Sequence, residues 1–214
     1  MMHDDLKALP FSTRAGLDSG LAGRDRRDAV AAVMQDDGLL ESPAPPAALR
    51  WIDTFLEAYG GDFEMAGDCL PFVRSLRAES VVLPALELER LRSRQLLFFL
   101  DTVSQYVDDQ PELRGLRVEA DLLEIAKEFG VAPADALASV RMVLSGREDG
   151  PPLALLFPLL GHDRIMMRIG AVNSHLLHGR GLEPIAYGPD GKPFRVIETE
   201  RPALPDGAEG IPPA

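Results

Sequence analysis

The sequence predicts an all-α fold, two packed helical subdomains followed by a short C-terminal β-hairpin. Three observations predict it. Leu and Ala recur at three- and four-residue spacing along most of the chain, β-branched runs are short, and aromatic residues make up only 6%. A length of 214 residues holds one generous core or two small ones. With 46% hydrophobic and 26% charged residues, the composition excludes a chain that is disordered throughout.

The elements follow in order. Residues 1–23 carry Pro and Gly punctuation with weak periodicity and read as a loose arm; 24–34 form a short helix. The run ESPAPP from Glu41 to Pro46 is a linker, because its prolines remove donors and restrict their neighbours. Residues 1–46 are therefore an arm and linker. From Ala47, the residues Trp51, Phe55 and Tyr59 recur every four positions and share one face of a helix that ends at Gly60-Gly61. Residues 63–76 offer another helix, interrupted or started near Pro71. The longest element begins after Pro84: Leu86, Leu88, Leu91, Leu96, Leu97, Phe99 and Leu100 give its apolar face, with Arg90, Arg92 and Arg94 on the flanks. It extends through Val103 and Tyr106 to a solvated end at Asp108-Asp109. These helices make a subdomain over 47–114.

A second subdomain spans 115–180. Residues 118–129 are amphipathic and stop at Gly130; Pro133 opens the next helix, which stops at Gly146. Pro151-Pro152 starts a short apolar helix that Pro158 kinks or ends, and 161–177 supplies one more. In the remaining stretch, 181–214, Ile185, Tyr187, Phe194 and Val196 flank Gly188-Pro189-Asp190-Gly191, a turn signal that predicts the hairpin. From Arg201 the composition predicts a disordered tail.

Charge and cysteine content narrow the function classes. The chain carries 34 acidic against 22 basic side chains, a net charge of −12 that disfavours non-specific nucleic-acid binding. The acidity is uneven: residues 1–73 carry 13 acids and 6 bases, 119–140 carry 5 and 1, but 141–168 carry 3 and 4. A single cysteine, Cys69, excludes an internal disulfide, and its neighbours Glu64 and Asp68 argue against a reactive thiol. No stretch reaches ~18 consecutive apolar residues and no secretory signal is legible, so a cytoplasmic protein with no membrane partner is expected.

Few residues carry chemistry. His175 and His178 lie three apart on a helix without the glutamate that a zinc peptidase helix needs, and read as polar residues near a helix end. His162-Asp163 reads as a helix start. Gly60-Gly61 and Gly179-Arg180-Gly181 lack the spacing of a phosphate loop. No metal and no cofactor are expected.

The stretch from Leu122 to Ile169 stands apart. It contains LLEIAKEFGV, VRMVLSG, GPPL and LLGHDRIMMRI in succession. This resembles the C-terminal, anticodon-binding region of bacterial glutamyl-tRNA synthetases, whose pattern runs approximately E-E-L-G, L-R-x-A-L-T-G, S/T-P-x-L and L-L-G-K-E-R-V-L-x-R-I. Arg141, Leu144, Gly146, Pro151, Leu153, Leu159, Leu160, Gly161, Arg164 and Arg168 fall on it with the spacing intact. The stretch from Trp51 to Leu100 is similar in tenor to the helical domain that precedes it in those enzymes. Departures are Val143, Ser145 and His162 for Ala, Thr and Lys, Gly150 for a hydroxyl residue, and Ala138 where a polar side chain can sit.

The resemblance implies a free-standing, non-catalytic tRNA-binding or synthetase-associated module with the helical-cage fold. Glutamate-specific tRNA is the implied partner, with a synthetase catalytic subunit or a pathway enzyme as a second. Residues matching Arg141, Pro151 and Leu153 contact anticodon bases in the family. By this resemblance Arg141, Gly150, Pro151 and Leu153 form the base-reading surface, and Arg164, Arg168, Arg92 and Arg94 contact phosphates. The H-I-G-H-type motif and the Lys-Ser-Lys-like loop of the catalytic half are absent from the sequence, so ATP-dependent aminoacylation is not expected of this chain alone. Two other readings are a repurposed enzyme acting on glutamyl-tRNA or a small molecule, and a protein-binding adaptor that has lost RNA affinity.

Overall fold

A computed structural model describes residues 20–78, 80–110, 113, 117–178 and 195–199. The described residues are mostly helical, as expected. α1 covers Gly20–Asp36, α2 Pro46–Tyr59, and a 3-10 turn at Ala66–Cys69 leads into α3, Leu70–Arg77. After strand β1 (Ser80–Pro84) come α4 (Ala85–Leu91), α5 (Arg94–Asp108) and α6 (Val118–Glu128). α7 (Pro133–Ser145), α8 (Leu153–Leu160) and α9 (His162–His178) follow, and β2 is Arg195–Thr199.

The aromatic stripe does what its spacing predicts. Ile52, Phe55 and Tyr59 are buried on one side of α2, and Trp51 stacks on Phe55 at 5.4 Å between ring centres. Phe63 and Phe72 complete the cluster, Phe63 against Phe55 at 5.9 Å and Phe72 against Tyr59 at 5.4 Å. The Trp51 indole Nε1–H donates to the Leu159 carbonyl at 2.9 Å, which ties α2 to α8 across the division between the two expected subdomains. Buried side chains from 47–114 and from 115–180 join in one hydrophobic cluster: α9 lies against α5, α7 and α8, and α2 against α8.

The long helix expected after Pro84 is in fact two. Ser93 breaks it: its Oγ accepts from the Leu96 N–H at 3.2 Å, so Ser93 caps α5 while α4 ends beside it. Between α3 and α4 the sequence reading placed no element, yet Ser80–Pro84 is a strand that pairs in parallel with β2, Val81 opposite Val196 and Val82 opposite Ile197. Val81 and Leu83 face the core; Val82 and Ile197 face outward. Val196, expected in a hairpin, thus pairs with a segment far upstream. The Gly188–Gly191 turn, with Ile185, Tyr187 and Phe194, lies outside the described residues, as do arm residues 1–19 and the tail 200–214.

Gly130 and Gly146 close α6 and α7 at φ +65° and +77°, a left-handed conformation that costs a residue with a Cβ about 1–2 kcal/mol. Among the described residues no helix is long and apolar enough to cross a membrane.

Candidate nucleic-acid interface

Arg141, Gly150, Pro151 and Leu153 meet at the loop between α7 and α8. Arg141 projects from the last turns of α7; its Nε donates to the Pro151 carbonyl at 3.4 Å and its Nη2 to Glu119 Oε1 at 3.0 Å. The same Glu119 oxygen accepts the Leu153 N–H at 3.1 Å. Pro152, at the N-cap of α8, has no side chain able to accept that donor, so Glu119 from the first turn of α6 caps α8 from outside. Arg90 adds a further tether, pairing with Glu148 in the loop and with Glu87 at 3.0 Å on α4. Burial, and then the negative charge of Glu148, push the Glu87 carboxyl above its ordinary range, while Arg90 pulls it back.

This arrangement alters the expected reading surface. Arg141 retains 21% exposure and Gly150 and Pro152 are exposed, but Pro151 is buried and Leu153 is 0% exposed, packed into the core at the start of α8. Leu153 is thus a core residue, not an apolar platform for a base. Glu119 was not among the expected site residues. Its only sequence signal was an acidic side chain in the first turn of a helix, which many solvated positions share.

The loop also forms one wall of a cleft of about 400 Å³, whose other walls come from the end of α2 and from α3. Tyr59, Phe72, Arg147, Asp149 and Pro152 line it, and Arg168 lies at its inner end. Arg147 is well exposed and pairs with Asp149 at 3.3 Å, which holds the Asp149 carboxyl below the usual carboxylate range. Burial raises the Tyr59 hydroxyl, against the opposing pull of Arg168 and Arg147.

The four arginines expected on phosphates occupy different settings. Arg168 is 1% exposed and donates to the Leu144 carbonyl and to those of Ser75 (2.7 Å), Leu76 (3.3 Å) and Ala78 (3.4 Å). It is a buried cation that caps the ends of α3 and α7, which corrects its assignment to a surface phosphate. Burial lowers its pKa to about 10, so it stays charged at neutral pH. Arg164, one turn earlier on α9, is half-buried and near Arg77, whose guanidinium sits 5.8 Å above the Trp51 ring. Arg92 donates to the Leu176 carbonyl at 3.2 Å near the far end of α9, about 18 Å along that helix from Arg164. Arg94 is exposed and lies over Phe98 at 5.4 Å. Arg92 and Arg94 therefore do not share a patch with Arg164.

The remaining polar candidates have structural roles. His162 meets Asp163 at 3.1 Å and Asp108 at 3.4 Å, linking the end of α5 to the start of α9. Cys69 is buried, and burial together with Asp68 pushes its thiol up to about 11. Among the described residues no cluster of three or more His, Cys, Asp or Glu side chains is arranged to hold a metal ion.

Comparison with known proteins gives this geometry its context. The anticodon binding domain family matches residues 50–172, more than half of the chain. Glutamate–tRNA ligase 2 of Caldanaerobacter subterraneus subsp. tengcongensis is 23% identical over 123 residues, 58% of this chain and 25% of that protein. Glutamate–tRNA ligase of Listeria monocytogenes is 21% identical over 138 residues, 64% of this chain and 28% of that protein. The chain thus spans about a quarter of the length of these relatives. A crystal structure of a glutamate tRNA ligase from Elizabethkingia meningosepticum, in complex with its amino acid, shares the fold with a TM-score of 0.59 at 12% identity, covering 72% of this chain and 29% of that one. With the family match spanning α2 to α9 and including the motif-bearing loop, the chain belongs to the anticodon binding domain family, of the glutamate–tRNA ligase type.

Proposed function

We propose that this protein is a non-catalytic, glutamate-type tRNA-binding module that reads the anticodon arm with the α7–α8 loop. One observation carries the reading: the Arg141 guanidinium is fixed at the loop by two acceptors, and exposed Gly150 and Pro152 of the same loop line a cleft of about 400 Å³. Arg141 would donate to a base edge and Pro152 would offer an apolar face. Arg147 in the loop and half-buried Arg164 are the cations proposed for phosphates, and Arg92 and Arg94 would serve only an RNA long enough to reach the far end of α9. A synthetase catalytic subunit fits as a partner that supplies the amino-acid activation this chain's sequence lacks.

Gel shift against total tRNA at low salt tests the reading. Binding is expected, weakening about tenfold in Arg141→Ala, the size of one lost base contact. Absence of a shift, or equal binding by the variant, would overturn it. The cleft also favours a second reading, in which a small molecule occupies it; co-purified ligand detected by mass spectrometry would decide for that.

A further inference from the structure

The role of Glu119 extends beyond the packing of α6. We infer that Glu119 is the positioning residue of the base-reading surface, presenting Arg141 and the α7–α8 loop as one preorganised unit; this rests on the reading proposed above. Three elements meet at a single carboxylate oxygen. Glu119 Oε1 takes Arg141 Nη2 from α7 and the Leu153 N–H from the start of α8, while Glu119 itself sits in the first turn of α6. Pro151, between the two donors in sequence, gives its carbonyl to Arg141 Nε, so loop and guanidinium are held from two sides.

Geometry decides what this leaves for a ligand. Two acceptors, on Nε and one edge of Nη2, restrain rotation of the guanidinium plane, and Nη1 makes no hydrogen bond among the described residues. A fixed planar fork discriminates acceptors on a base edge, whereas a rotating one contributes only charge. Glu119 remains 38% exposed and Arg141 21%, so the pair sits at the surface where RNA can reach the outer edge of the guanidinium. A carboxylate also keeps Arg141 from pairing with a phosphate, which biases it towards a neutral base edge over the backbone. The Leu153 bond extends the effect: the same oxygen fixes the first turn of α8, and with it the loop that carries exposed Gly150 and Pro152 around buried Pro151.

The test uses the full chain and two unmodified tRNA transcripts, one with a glutamate anticodon and one with its central base changed. Wild type is expected to prefer the first by about tenfold, and Glu119→Ala to lose that preference while keeping its salt dependence, because phosphate contacts are untouched. Glu119→Gln, which keeps an oxygen for both donors, should restore part of it. The double variant with Arg141→Ala should discriminate no worse than either single one. A second readout needs no RNA: nitrogen-15 NMR of the Arg141 side chain should show hindered rotation in wild type that is lost in Glu119→Ala. Unchanged NMR signals, or unchanged preference, would overturn the positioning role; so would tighter binding by Glu119→Ala, which would make Glu119 a mask over Arg141. If wild type binds neither transcript but the NMR effect is present, the tRNA reading fails and the positioning of Arg141 stands.

Discussion

At the residue scale, Arg168 shows how a motif position can be fixed by the fold. Its charge lies against the carbonyl ends of α3 and α7, where a cation satisfies acceptors that have no helical partner and opposes the negative pole of each helix. Arg168→Met keeps the volume of the stem and removes the donors, and is expected to cost about 3 kcal/mol in urea denaturation. The slope of tRNA binding against salt should not change in that variant. A contact to phosphate would instead lower the slope by about 1. The sequence made Arg168 legible as a position but not as a role, because an arginine that grips carbonyls and one that grips phosphate look alike until burial is known. Leu153 was misplaced for the same reason: its apolar side chain serves a base face or a core equally well, and only the packing of α8 decides. The position of Arg141 on α7 was legible, since its spacing to Gly146 fixes where the side chain leaves the helix, but its tie to Glu119 was not.

At the scale of elements, glycines separate two kinds of helix end. Gly130 and Gly146 share the left-handed conformation, but a Cβ on Gly130 would meet open space, while one on Gly146 would meet the Val82 carbonyl oxygen at 2.6 Å. Gly130→Ala is therefore expected to cost about 1 kcal/mol, the conformational term alone. Gly146→Ala should cost at least about twice that, because β1 must move away from the end of α7. Chemical denaturation of the two variants side by side checks this, and equal losses would show that β1 gives way freely. The helices were read from periodicity to within a few residues, and the Ser93 break was missed because the apolar face continues across it with little change. β1 was missed for a different cause. Val81, Val82 and Leu83 are too few to show a period, and the partner that makes them a strand lies beyond six helices.

At the scale of the molecule, the two helical subdomains read from the sequence share one core. Trp51 and Phe55 on α2 pack near α8, and the indole bond to Leu159 crosses the division. The protein is expected to unfold in a single step. Trp51, the only tryptophan, reports the junction directly by fluorescence. Its transition should coincide with that of the helical signal in circular dichroism, and two separated midpoints would show that the halves melt independently. The surplus of acid over base sits mostly before residue 74 and on α6, and α6 brings Glu119 of that surplus against Arg141.

The pairing of β1 with β2 also sets an order of events during synthesis. Ser80 lies opposite Arg195, so the first strand leaves the ribosome seconds before the second exists, at roughly 5–20 residues per second. Helices α4 to α9 can begin to assemble around Val81 and Leu83 in that interval, with the contacts that α4 and α9 make to β2 completed only when that strand arrives. The nascent chain then carries an open strand edge until its last segment docks. Any neighbouring chain that offers a strand in that window competes with the protein's own C-terminal segment for the same row of backbone donors and acceptors.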